Sequence, residues 1–177
     1  ANTATLRVTD AAGNFNECTS TVTVVDNIAP VAACKNITVN LSAPTISASA
    51  LDNGSSDNCG MASMLIDGAA SKTFTCANIG PNTVTLRVLD AAGNFTECTA
   101  TVTVVDDIAP VAVCQNVTVN LSAPTLAAAT VGGASTDNCG IASTLIDGVA
   151  SKTYTCANLG PNTVTLRHIA PDRPLSR

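Results

Sequence analysis

The sequence has no tryptophan, one tyrosine, three phenylalanines and one histidine, and charged residues make up only 12 % of it. With so little aromatic surface, any core must be built from small aliphatic side chains. A lone histidine, His168, leaves little for general acid–base catalysis or a histidine metal centre. Positive charge is scarce as well: the net charge of -5 excludes the basic surface that nucleic acid or an anionic membrane requires. Mean hydropathy is positive, at +0.31, yet Thr, Ser, Asn, Gly or Pro cuts every apolar run well short of the ~18–20 residues of a spanning helix, so membrane insertion is not expected. No Cys-x-x-Cys pair is present, which removes the usual spacing of a zinc site. A basic segment followed by an apolar one does not open the chain, so export has to be argued from the cysteines.

What is abundant is Val, Thr, Ala and Asn, the composition of strands and turns, and the fold class read from it is all-β. Eight cysteines without metal-ligand spacing point to disulfides, and stable disulfides to an oxidising compartment, hence to an extracellular or cell-surface protein. At 177 residues there is room for about two domains.

Slid against itself, the sequence matches at an offset of 80: residues 1–87 align with 81–167 without a gap, and roughly three quarters are identical. Cys18, Cys34, Cys59 and Cys76 recur as Cys98, Cys114, Cys139 and Cys156. Boundaries fall where Val-Val-Asp gives way to Ile-Ala-Pro, at Asp26 to Pro30 and Asp106 to Pro110, because proline cannot donate to a central ladder. This divides the chain into a hairpin closing a preceding repeat (1–26), a complete repeat (27–106), an incomplete repeat without its last strand (107–167) and a tail with no counterpart (168–177). Thr83 to Val88 and Thr99 to Val104 alternate polar and apolar as half-buried strands do, with Asp90-Ala91-Ala92-Gly93-Asn94 as the turn of a hairpin. Asn36 to Leu41 alternates too, placing Ile37, Val39 and Leu41 inward and Asn36 and Asn40 outward. Several short strands at such spacing imply a β-sandwich.

The ordered set Ile28-Ala29-Pro30-Val31, Cys34 to Val39, Asp57-Asn58-Cys59-Gly60, Gly80 to Thr85, Asp90 to Asn94, Cys98 and Thr101 to Val104 resembles the hyalin repeat (HYR) domain over the whole chain except the tail. The resemblance implies tandem immunoglobulin-like sandwiches of extracellular, often adhesive, multidomain proteins, and it carries no catalytic residues. Four cysteines per unit allow three pairings. In an immunoglobulin-like sandwich the first and last strands are neighbours, which favours Cys34–Cys98 and leaves Cys59–Cys76, with Cys139–Cys156 in the next unit. Cys34 shares the parity of the outward asparagines, so the first strand is expected to kink before Ile37. Closing the two loops is worth about 4 and about 3 kcal/mol in the chain-entropy model, a large share for a small domain.

Residues 107–177 lack a last strand, while 1–26 supply one with no domain to join, so the ends are complementary. Either the hairpin at 3–25 of one copy completes the next, with Cys18 bonded to Cys114, or the chain is an excerpt of a longer covalent array whose partners lie beyond its ends. In both cases the expected partner is the protein itself, as a head-to-tail polymer or array.

Calcium is the expected ligand, if there is one. The sandwich topology gathers Asp26, Asp57, Asp90 and Asn94 at one end, with Asp106 and Asp137 in the next unit, and these are hard oxygen donors. The plainer account is that Asp-x-x-Gly-Asn is only a hairpin turn and Asp-Asn before Cys only a loop cap. Sequons stand at Asn36, Asn40, Asn53, Asn94, Asn116 and Asn120, although an Asn- and Thr-rich sequence produces such triplets by chance. Cysteines that repeat with the domain read as cystine rather than nucleophiles, and Asp106-Asp107 as a solvated linker, so no enzymatic activity is expected. Phe15, Phe74, Phe95 and Tyr154 are few for a sugar-stacking platform, and Phe74 and Tyr154 read as core. Only Leu51-Asp52-Asn53-Gly54 against Val131-Gly132-Gly133-Ala134 differ as a block, which is where a binding specificity would lie. The expected function is a structural subunit of an extracellular fibre or surface stalk; the alternative is an adhesin or a glycan- or protein-binding module within a longer secreted array.

Overall fold

The computed structural model describes residues 2–170. Among them strands are the main regular element, arranged in several small sheets with only short helical turns, and the chain carries two disulfides, so the all-β class holds. No helix among the described residues is long and apolar enough to cross a membrane.

β1 (Asn2–Thr9) and β2 (Phe15–Val22) form an antiparallel hairpin, in register from Asn2 opposite Val22 to Thr9 opposite Phe15. Asp10 closes its turn: one carboxylate oxygen accepts from the Ala12 and Asn14 amides, the other from Asn14 Nδ2. Gly13 sits at φ 89°, a conformation glycine adopts without a Cβ clash. Every residue of both strands is exposed, because nothing packs on either face.

The next strands are β3 (Ile37–Asn40), β4 (Thr45–Ser47), β5 (Met61–Ile66), β6 (Ser71–Thr73), β7 (Gly80–Asp90) and β8 (Phe95–Val105). Four of them make one sheet in the order β3-β8-β7-β5, with β3 parallel to β8 and the other neighbours antiparallel, while β4 and β6 pair separately. Alternation decides which side chains turn inward. Val84, Leu86 and Val88 of β7 and Ala100, Val102 and Val104 of β8 are buried, and they form one core with Val39, Leu41, Ala48, Leu51, Ile66 and Phe74. The expected kink ahead of Ile37 is a change of partner. Val31 bridges Ser56 and Cys34 bridges Asp52, after which the chain crosses to run beside β8. Val31 and the half-cystine at 34 thus stand on a different neighbour from Ile37 and Val39.

The following residues repeat this plan 80 positions on. β9 (Thr125–Ala127) pairs with β11 (Ser151–Thr153) as β4 does with β6, and β10 (Ser143–Ile146) pairs with β12 (Leu166–Ile169) as β5 does with β7. The register is offset by 80 throughout: Ile66 faces Leu86, and Ile146 faces Leu166. The strand pairing runs on past 167, where the sequence identity ends. His168 and Ile169 continue the strand opposite Thr144 and Ser143, in the places of Val88 and Leu89, because ladder hydrogen bonding depends on backbone and not on side-chain identity. Residues 171–177 of the expected tail lie outside the described residues.

Two differences mark the second unit. Residues 117–120, the counterpart of β3, and 160–165, the counterpart of early β7, are not strand, and among the described residues no strand lies between them as β8 lies between β3 and β7. The core shrinks to Leu126, Ala128, Val131 and Ile146, and Val119, Tyr154, Val164 and Leu166 are only partly covered. Their counterparts Val39, Phe74, Val84 and Leu86 are all buried beneath the complete sheet.

Candidate functional site

Three constellations stand out: the cystines, a carboxylate cluster at one pole of the first unit, and the open groove of the second. Cys34 is bonded to Cys98 with 6.0 Å between Cα atoms, joining the chain just before β3 to β8. The parallel pairing of β3 with β8 brings the chain ahead of β3 alongside the start of β8. The other disulfide corrects both remaining expectations: Cys76 bonds neither to Cys59 nor does Cys139 to Cys156. Cys76 is bonded to Cys139, across the two units, at a Cα separation of 5.3 Å. The Cys76 half sits in the 3-10 turn Cys76–Asn78, and the Cys139 half packs against the edge of the first core. Cys18, Cys59, Cys114 and Cys156 are exposed thiols. Sequence spacing offered no signal for the cross-unit bond, since a repeat gives Cys76 two equivalent candidates, one in its own unit and one in the next.

Asp26, Asp57 and Asp90 each bring a carboxylate oxygen to within 4.8 Å of the others. The linker into the unit carries Asp26, the loop before β5 carries Asp57, and the end of β7 carries Asp90, which is only 3 % exposed. The Cys59 amide donates to Asp57 Oδ2 at 2.8 Å, and Asp57 Oδ1 is buried without a partner. Asn94 turns its amide nitrogen toward the acids. Its Nδ2 donates to Asp90 Oδ2 at 2.7 Å and to the Asp26 carbonyl at 3.2 Å, so it braces two of the acids. Burial opposes charge on Asp90, but the side-chain and backbone hydrogen bonds from Asn94 outweigh it and hold the carboxyl below its ordinary range. The Cys59 thiol is pushed up, first by its hydrogen bond with Asp26, then by burial and the negative charges of Asp26, Asp57 and Asp90. Three acids so close repel one another, and a hard cation relieves that repulsion; the donor set fits calcium.

In the second unit Asp106 and Asp137 take the places of Asp26 and Asp57. Asn138 Nδ2 donates to Asp106 Oδ1 at 3.2 Å and the Cys139 amide to Asp137 Oδ2 at 3.0 Å. Asp106 Oδ2 and Asp137 Oδ1 are buried without partners. The third position, however, is Ala170, so this set has two acids where the first has three.

The sequons divide. Asn36, Asn40, Asn53, Asn116 and Asn120 are exposed, although Asn36 Oδ1 accepts from the Thr101 amide at 2.7 Å. Asn94 spends both Nδ2 hydrogens inside the carboxylate cluster, which makes it a structural residue rather than a glycan acceptor. Phe74 is core, as expected, and Tyr154 half-covers the smaller one. Phe15 and Phe95 lie under the guanidinium groups of Arg7 and Arg87, at 4.3 and 4.4 Å, a cross-strand stacking that single-sequence alternation does not reveal. The block at 131–134 also has a packing reason: a Cβ on Gly132 would come within 2.6 Å of Leu166 Cδ2 and 3.1 Å of His168 Cε1. Glycine there, where the first unit has Asp52, makes room for a histidine in place of Val88.

A cleft of about 720 Å³ lies in the second unit. Val117, Thr118 and Val119 form one wall, residues 160–164 the other, and Leu126, Val131 and Tyr154 the floor. In the first unit β8 occupies the equivalent place between β3 and β7. Comparison with protein-family models and with curated proteins finds no match to the chain.

Proposed function

We propose that this chain is a structural segment of an extracellular fibre or surface stalk, built head to tail from immunoglobulin-like repeats in which the last strand of one repeat is supplied by the segment that follows. One contrast carries the reading. Residues 2–25 and 82–105 are nearly the same sequence, yet Val22 and Val24 are 45 % and 76 % exposed where Val102 and Val104 are 0 % and 1 %. In the second unit a groove lined by the counterparts of β3 and β7 stands open.

Seating β2 of a second copy in that groove exchanges one neighbour for a near-identical one. β1 has the sequence Asn2-Thr3-Ala4-Thr5-Leu6-Arg7, and the groove wall continues as Asn162-Thr163-Val164-Thr165-Leu166-Arg167. The ladder hydrogen bonds lost to β1 are therefore regained on residues 162–169, and the pairing with 117–120 and the burial of Val22 and Val24 are net gains. The resemblance to the hyalin repeat and two disulfides, which persist in oxidising compartments, support an extracellular setting. Sedimentation velocity and negative-stain microscopy test the proposal: concentration-dependent filaments support it, and monomers at all concentrations refute it.

The same reading gives the carboxylate cluster a role. Asp26 belongs to the linker between successive units, so calcium held by Asp26, Asp57 and Asp90 would stiffen the joint of such an array, as the acids alone would loosen it.

A further inference from the structure

The Cys76–Cys139 disulfide ties the two units of the chain together at one joint. On the second unit's side the joint is made by Asp137-Asn138-Cys139, and each of the three residues has its own part in it. The Cys139 sulfur is bonded to the first unit, and its side chain packs against the first unit's core. The Cys139 amide donates to Asp137 Oδ2 at 3.0 Å. Asn138 Nδ2 donates to Asp106 Oδ1 at 3.2 Å and to the Cys139 sulfur at 3.1 Å. Asp106 follows directly on β8, the last strand of the first unit, whereas Asp137 stands in a loop of the second. Asp106 is only 3 % exposed, and both its Oδ2 and Asp137 Oδ1 are buried without a donor among the described residues.

Two carboxylates held by adjacent residues, each with a buried oxygen that no donor meets, repel one another, and a hard divalent cation supplies the missing charge and the missing bond together. Lys72, Arg87 and Lys152 are each engaged with another acid, namely Asp67, Glu97 and Asp147. The equivalent acids of the first unit, Asp26 and Asp57, bring carboxylate oxygens within 4.8 Å of each other under the same contacts from Asn58 and Cys59. We propose that Asp106 and Asp137 hold a calcium ion at the joint between the two units, and that this ion and the Cys76–Cys139 bond strengthen each other. Both units of the joint lie within the chain, so the site needs neither strand exchange nor a second copy.

The coupling follows from the shared parts. Ion and disulfide are two ties across the same joint, one from Asp106 to Asp137 and one from Cys76 to Cys139, two residues further on. While the bond holds, the loop carrying Asp137 is anchored beside Asp106, and the ion meets a pre-organised pair. Once the bond is cut, ordering that loop falls to the ion. Linkage is reciprocal, so the factor by which the bond raises the ion's affinity is the factor by which the ion protects the bond from reduction. Reduction by glutathione breaks the Sγ–Sγ bond by way of a mixed disulfide, leaves Cys76 and Cys139 as thiols and oxidises two glutathione thiols to one disulfide. Because Ala170 stands where the first unit has Asp90, the joint site fills only at calcium of about 1 mM, above the range that loads the three-acid cluster. Melts at lower calcium therefore report the first cluster alone.

The test uses the full chain with its exposed thiols alkylated and with Asp57→Asn, which removes the first cluster. Equilibrium dialysis against radiolabelled calcium should find one ion bound per chain, lost in Asp137→Asn and, independently, in Asp106→Asn. Far-ultraviolet circular dichroism in chelator shows which of the two variants folds as the parent does, and either suffices. Replacing Cys76 and Cys139 by serine should weaken binding about tenfold. In a glutathione buffer, read by thiol trapping and peptide mapping, saturating calcium should shift the Cys76–Cys139 pair about tenfold toward the disulfide while leaving Cys34–Cys98, and the Asp137→Asn chain, unmoved. An Asp57→Asn chain that binds no ion, or binding that survives both aspartate substitutions, overturns the site and leaves the first cluster and the strand-exchange reading standing. Binding that is indifferent to loss of the bond overturns the coupling.

Discussion

Val102 and Val22 occupy the same place in the repeat, on β8 and β2, and truncating each to alanine separates local sequence from tertiary setting. Val102 is 0 % exposed and Val22 45 %. Val102→Ala removes two methyl groups from the core, about 1.6 kcal/mol of transfer free energy at about 0.8 per carbon, and leaves a void that adds about 1 more. The expected loss is about 2–3 kcal/mol, a shift of roughly 30- to 150-fold in the unfolding constant. Val22→Ala should cost less than about 0.5 kcal/mol in the dilute, reduced chain. In assembled material the two costs should converge, because β2 then stands in a core as β8 does. Urea unfolding followed by far-ultraviolet circular dichroism measures both, since the chain has no tryptophan. A Val22→Ala cost of 2 kcal/mol that does not vary with protein concentration would refute the reasoning, for it would mean that the hairpin is packed within its own chain.

Calcium should raise the melting temperature, chelator should reverse the rise, and Asp57→Asn should abolish it; a melt indifferent to both ions and chelator refutes the cluster as a cation site. Asp107 accepts from the Ser42 amide and hydroxyl, which holds its carboxyl below the ordinary value. Its stabilisation is present above the unfolded pKa of about 4 and is lost as pH falls through the lower folded value, so Asp107→Asn should flatten the acid limb of a stability–pH curve. Gly93 stands at φ 94°, and Gly93→Ala should cost about 1–2 kcal/mol in chemical denaturation, whereas Gly13→Ala, at φ 89° in the unpacked hairpin, should leave global unfolding within about 0.5. Removing the Cys34–Cys98 bond by a double serine substitution should cost about 2–5 kcal/mol, read in the same way.

Much of this protein is local, and local features are legible in one dimension. The alternation of Thr83 to Val88 and Thr99 to Val104, the Asp90 to Asn94 turn and the 80-residue phase all reappear as strand, turn and register, because pleat and turn geometry depend on near neighbours. The approach of Asp26, Asp57 and Asp90 was also legible, through the resemblance to a known topology rather than through spacing. The bracing role of Asn94 was not, since an amide presents an acceptor and a donor with equal ease and only the placement of Asp90 and the Asp26 carbonyl selects the donor.

By itself the sequence determined the polar–apolar alternation, the turns and the 80-residue repeat. The tertiary structure alone decided that Cys76 bonds to Cys139, since a disulfide forms where two Cβ atoms approach, whatever the number of residues between them. It alone decided, too, that one stretch of chain lies bare as β2 while its near twin is sealed as β8: burial belongs to whatever packs against a strand, and no strand carries its partner in its own residues.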